Sequence, residues 1–162
     1  MPLFYPPHRP DLLGQRVVFL GGSIEMGKAK DWQSLLAQAL QQSAPDVYVA
    51  NPRRQDWDSL WEQRISNPHF NEQVTWELDH IERADLVVFY FQPGTQSPIT
   101  LLELGKRLEH PRASENTVVC CPEGFWRLGN VEIVCARAGI PLLKSLDELT
   151  RAVVTWTYRN PD

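Results

Sequence analysis

The sequence predicts an α/β protein: one five-stranded parallel sheet with helices on both faces, a single three-layer domain. Three observations carry that prediction. Short apolar runs alternate along the chain with longer stretches of helical spacing. The run Leu86 to Phe91 is unbroken and rich in aromatic and β-branched residues, as in a strand buried on both faces of a parallel sheet. The runs give way to turn-forming residues at Gly21, Asn51, Gln92 and Pro122, so four loops are expected together on the carboxyl edge of the sheet.

The elements follow in order. Residues 1–14 are rich in proline and read as an extended arm, packed on the body or on a partner subunit; residues 15–160 are the domain. Arg16 to Leu20 is the first strand, and Gly21-Gly22-Ser23 follows at once. Asp31 caps a helix on which Leu35, Leu36, Ala39 and Leu40 recur at helical spacing, and Ala44-Pro45 ends it. Val47 to Ala50 is the second strand. After the break at Asn67-Pro68, Phe70 to Arg83 is a helix expected to bury Val74, Leu78 and Ile81, with His80 at the surface. Leu86 to Phe91 is the third strand, opened by Asp85. Pro98 suits the first turn of the next helix, with Ser97 as its cap. Thr117 to Cys121 is the fourth strand, Val131 to Ala138 a helix, Pro141 to Leu143 a short fifth strand, and Leu146 to Tyr158 the closing helix.

The chain has 162 residues, of which 43% are hydrophobic, enough for one packed core. Its formal net charge of −4 argues against a nucleic-acid polymer as partner. No apolar run approaches membrane-spanning length, and no basic start precedes an apolar stretch, so no membrane is expected and a cytoplasmic location is the simplest reading. The cysteines, Cys120, Cys121 and Cys135, are odd in number and fit a reducing compartment. Cys and His spacings do not form a metal site, and no cofactor is expected.

The expected loops hold the candidate chemistry. Gly21-Gly22-Ser23 follows a strand, where glycines let a ligand approach the backbone and freed amides can hold an anion or hydroxyl. It has neither the Walker ending nor the GxGxxG pattern, and a tight turn is the plain alternative. The run Asn51-Pro52-Arg53-Arg54-Gln55-Asp56-Trp57-Asp58 joins guanidinium, carboxylate and indole, a composition suited to a flat polar ligand or, more simply, to a solvated turn. Glu103 lies about a turn and a half into its helix, between Leu102 and Leu104. It either faces the crevice at the strand ends or pairs on the surface with Arg107, four residues on.

Glu103-Leu104-Gly105 after a strand and loop, Gly-Gly-Ser after the first strand, Asp85 and the Asn130 region together resemble the nucleoside 2-deoxyribosyltransferase family and its broader relatives, over roughly Val17 to Gly139. Asn51-Pro52-Arg53, Asp56-Trp57 and Ser97-Pro98-Ile99-Thr100 look most like the less characterised relatives. The resemblance implies a flavodoxin- or Rossmann-like sheet, a homo-oligomer and a nucleoside or nucleotide ligand. It implies that Glu103 attacks the anomeric carbon to form a covalent glycosyl-enzyme, with Asp85 as its proton or positioning partner. Gly22, Ser23, Asn51, Arg53, Asp56, Trp57, Ser97 and Asn130 would then line the substrate. Well-characterised transferases carry an aspartate six residues before the nucleophile; here that residue is Ser97. Transfer to a second base, hydrolysis of a nucleotide or nucleoside, and binding without turnover all remain open on these residues.

Overall fold

The computed structural model describes residues 2–159; Asn160, expected as the last residue of the domain, lies outside them. The strands are β1 (Leu3–Phe4), β2 (Val17–Gly22), β3 (Tyr48–Ala50), β4 (Leu86–Tyr90), β5 (Thr117–Cys120) and β6 (Leu142–Leu143). The helices are α1 (Trp32–Ser43), α2 (Pro68–Arg83), α3 (Pro98–Leu108), α4 (Ala113–Asn116), α5 (Leu128–Arg137) and α6 (Leu146–Thr157). All pairings are parallel, and the sheet order is β1-β3-β2-β4-β5-β6. The sheet has six strands rather than five, because part of the proline-rich arm adds an edge strand. Pro2 O accepts from Val49 N and Phe4 O from Asn51 N. Arg9 pairs with Asp79, and the Trp76 indole donates to His8 O, so the arm packs on the body of its own chain.

The order in which successive strands are added to the sheet reverses between β2 and β4. Chains on either side of that point leave the sheet in opposite directions and open a crevice at the carboxyl ends. The sheet is dry on both faces: β2 and β4 are buried along their whole length. One face packs Phe19, Val87, Phe89 and Phe91 against Trp76, Leu104 and Val131. The other packs Val18, Leu20, Val49 and Val88 against Trp32, Leu36, Leu40, Leu149 and Val153.

Two helices sit in a different rotation from the one their apolar spacing suggested. On α1, Leu35 faces solvent while Trp32, Gln33, Leu36, Ala37 and Leu40 are buried. On α2, the buried residues are Gln73, Trp76, His80 and Ile81, with Val74 and Leu78 only half-buried. The large Trp76 ring decides the rotation, since it fills the space beside Phe4 and Phe19. His80 follows it inward: only 2% exposed, it packs at a tilt against the Trp76 ring and bonds through Nδ1 to Trp76 O. Burial lowers its pKa.

Candidate active site

Helices α2 and α3 both begin at the carboxyl edge and run down the same face of the sheet, side by side. Their facing polar residues make the centre of the site. Glu103 is 8% exposed on the inward row Ser97, Thr100, Glu103, Leu104 and Arg107 of α3. It does not pair with Arg107. That guanidinium donates to Thr117 Oγ1, Ile81 O, and Asn116 O and Oδ1, at the far end of the helix. Instead, the Glu103 carboxyl is hydrogen-bonded to the carboxyl of Glu77 on α2.

Two adjacent carboxyls can share a hydrogen bond only if one carries a proton. Burial is the main cause and raises both: Glu77 is pushed up to about 7, and Glu103 well above the ordinary carboxylate range. The neighbouring charge of Glu77 raises Glu103 further. A third polar side chain fixes the pair. Gln73, one turn before Glu77, donates through Nε2 to Glu77 Oε1 at 2.7 Å and to Pro52 O at 3.1 Å. The segment between β3 and α2 lies over this end of α2, with Trp57 edge-on to Phe70 and Arg54 reaching Glu72.

The loops at the carboxyl edge are tied to one another. Ser23 Oγ, Thr95 Oγ1 and Ser97 Oγ form a buried triangle at 2.9, 2.6 and 2.9 Å, and Gln92 N also donates to Ser23 Oγ. Ser97 does not cap α3 with its hydroxyl. Its φ of 46° is left-handed, and its N–H donates at 2.7 Å to Glu25 Oε1, on a residue that is itself left-handed at φ 49°. Two strained non-glycine residues in contact mark a loop held in shape by its surroundings. Arg53 Nη2 donates to Ala29 O and Lys30 O, and Trp126 Nε1 to Gln96 O.

The expected site residues divide accordingly. Ser23, Ser97 and Glu103 are brought to the edge between β2 and β4, with Asn51 and Arg53 at the neighbouring end of β3. Gly22 belongs to β2 rather than to an open loop. Its φ is +149°, and an added Cβ would lie 2.4 Å from Tyr90 O and 2.7 Å from Trp32. Ser23 N is taken by Tyr90 O. The glycines thus make room for protein packing, and the expected free amides are replaced by sheet hydrogen bonds. Ser23 holds Thr95, Ser97 and Gln92, and gives no hydrogen bond to Glu103.

Asp56 is exposed and bound by Arg54, whose hydrogen bond lowers the Asp56 pKa; Arg54 itself stacks over Trp61. Trp57 packs between Trp61 and Phe70. Asn130 lies in α5 and faces a groove between α3 and α5 lined by Leu101 and Gly105, away from Glu77. Asp85 precedes β4 at the opposite, amino edge, where its carboxylate accepts from Val17 N at 2.8 Å. Its expected place beside Glu103 is taken by Glu77. A residue that opens a parallel strand lies at the amino edge, so the place of Asp85 before β4 already set it apart from the loops that follow the strands. Glu77 and Gln73, four apart on α2, carried no local mark, because the rotation that turns them inward is set by Trp76 packing on Phe4 and Phe19. No group of three or more metal-ligating side chains occurs among the described residues, and no described helix is long and apolar enough to cross a membrane.

The chain has relatives in sequence and in fold. The model of the family described as nucleoside 2-deoxyribosyltransferase like matches residues 15–125. No curated protein is significantly similar. A conserved protein from Enterococcus faecalis V583 shares the fold at a TM-score of 0.64 and 9% identity, over 88% of this chain and 99% of that one. Clostridium botulinum CMP N-glycosidase does so at a TM-score of 0.55 and 13% identity, over 87% and 99%. With the match spanning more than half of its residues, the chain belongs to the nucleoside 2-deoxyribosyltransferase-like family.

Proposed function

We propose that the protein cleaves or exchanges the N-glycosidic bond of a nucleoside or nucleotide, with Glu103 as nucleophile and Glu77 as acid and base. The observation that carries this reading is the hydrogen-bonded pair Glu77–Glu103 between α2 and α3, with Glu103 buried and Glu77 partly covered. Such a pair has one proton to give and one charge to use. With the proton on Glu77, a Glu103 oxygen attacks the anomeric carbon. The carbon–nitrogen bond breaks, its electron pair stays with the base, and the base takes the Glu77 proton. The Glu103 ester is then opened by water or by a second base, whose proton returns to Glu77. Gln73 holds one Glu77 oxygen in place; its hydrogen bond also lowers the Glu77 pKa, so the shared proton rests on Glu103 in the free protein and passes to Glu77 before attack.

Glu103 is only 8% exposed, so substrate entry requires the side chains over it to move. Water as acceptor is carried beside transfer, because a fold neighbour is named a CMP N-glycosidase and because Ser97 stands where transferases carry an aspartate. The neutral hydroxyl of Ser97, already bonded to Ser23 and Thr95, is a poor proton donor to a second base. A homo-oligomer fits the outer side of α3 and α5, where Ile99, Leu102, Trp126 and Ile133 are exposed together. A monomer by light scattering at micromolar concentration would remove that part.

The test of the reaction is base release from a panel of nucleosides and nucleotides, with and without an added second base, by wild type and Glu103→Gln. Release by wild type and its loss by orders of magnitude in a folded variant is the expected result. Equal rates would overturn the assignment. Tight binding without release would leave a binding module.

A further inference from the structure

Two buried polar atoms near the carboxyl pair have no hydrogen-bond partner: Gln73 Oε1 and Trp57 Nε1. Gln73 is 4% exposed, and buried polar groups in folded proteins are almost always bonded. The orientation of its amide is fixed. Pro52 O can only accept, so the nitrogen must face it, and the same nitrogen serves Glu77 Oε1. The oxygen is left over, and an amide oxygen can only accept. The indole nitrogen of Trp57 can only donate.

Both atoms lie toward the amino end of α2 from Glu77. Gln73 is one turn before Glu77 on α2, Phe70 about one turn before Gln73, and Trp57 packs edge-on against Phe70 at 6.5 Å between ring centroids. If Glu77 protonates the departing base, as proposed above and on which this inference rests, the base lies beside Glu77. Its edge remote from the sugar then points along α2 toward Gln73 and Trp57.

We propose that Gln73 and Trp57 read the base: Gln73 Oε1 accepts an N–H of the base, and Trp57 Nε1 donates to an acceptor beside it. The substrate class is a nucleoside or nucleotide whose base carries an N–H donor next to a ring-nitrogen or carbonyl acceptor on the edge away from the sugar. Bases alkylated at that donor are excluded, because they would bury Gln73 Oε1 still unpartnered, against a methyl group.

The test is a calorimetric titration of full-length Glu103→Gln, which separates binding from turnover. Deoxyadenosine, deoxycytidine and deoxyuridine are each compared with the N6,N6-dimethyl, N4,N4-dimethyl or N3-methyl counterpart. At least one parent is expected to bind more tightly than its methylated form by about tenfold to a hundredfold, the usual effect of leaving a buried acceptor unpaired. Adding Gln73→Met should shrink that gap to about threefold or less. Adding Trp57→Phe, which keeps the ring against Phe70, should weaken the parent by about tenfold and leave the gap in place. Equal binding of every parent and methylated pair, an undiminished gap in the Gln73→Met protein, or no binding at all overturns the inference. The base-release assay on wild type stands apart: a gap without release sinks the enzyme reading alone, and release without a gap sinks this inference alone.

Discussion

Replacing Glu77 by Gln tests the shared proton through stability, without any substrate. Burial raises Glu77 from an ordinary 4.5 to about 7 in the folded chain. In the unfolded chain it titrates near its ordinary value. The folded form therefore keeps a proton that the unfolded form loses, and stability falls as pH rises. The contribution is complete below about pH 4.5 and has been lost once pH passes about 7. At 1.36 kcal/mol per pH unit, the loss is about 3 kcal/mol, a sizeable part of the total for a domain this size. Gln cannot ionise, so Glu77→Gln sheds this dependence and also relieves Glu103 of a neighbouring charge. Urea unfolding of wild type and Glu77→Gln at half-unit steps from pH 5 to 8 reads the effect. The variant is expected to gain about 3 kcal/mol on wild type across that range. A difference that stays flat with pH would mean that the two carboxyls titrate independently in solvent, and the proton-sharing argument would fall.

Three further expectations follow from the packing. Gly22→Ala drives a Cβ into Tyr90 O and Trp32 at a φ of +149°, and is expected to cost at least about 2 kcal/mol by urea unfolding. Arg107→Leu leaves the buried acceptors at Ile81, Asn116 and Thr117 unpaired. It is expected to cost about 3 kcal/mol in the same assay while the folded fraction releases base as wild type does. Asp85→Asn, at the amino edge, is expected to leave base release unchanged; a loss matching that of Glu103→Gln would return Asp85 to the chemistry.

Most of the frame was legible because apolar runs and turn residues act locally. Leu86–Tyr90 is a central strand for the reason its composition suggested, and Pro98 opens α3 as its fixed φ allows. Parallel topology then followed from alternation, which brought the loops after Gly22, Ala50, Tyr90 and Cys120 to one edge. Glu-Leu-Gly after strand and loop, Gly-Gly-Ser after the first strand, Asp85 and the Asn130 region, by their order and spacing, pointed to the family that residues 15–125 match. What escaped depends on long-range packing. The rotation of α2 is set by Trp76 meeting Phe4 and Phe19, residues far away in sequence, and that rotation turns Gln73, Glu77 and His80 inward. Pairing of Glu77 with Glu103 joins two helices whose relative rotation no local pattern encodes. The arm became an edge strand because β3 offered open hydrogen-bonding groups to Leu3–Phe4, a demand visible only once the sheet exists.

Covalent capture at Glu103 tests the central claim most directly. A nucleoside fluorinated at the sugar 2′ carbon, taken from the class that wild type cleaves, forms the glycosyl ester but slows its breakdown, because fluorine destabilises the oxocarbenium-like transition state of the second step. Intact-mass measurement of wild type after mixing is expected to show a gain equal to one fluorinated sugar, mapped by peptide sequencing to Glu103 and missing from Glu103→Gln. Stoichiometric release of the base with no added mass, or an adduct mapped to another residue, would contradict the account.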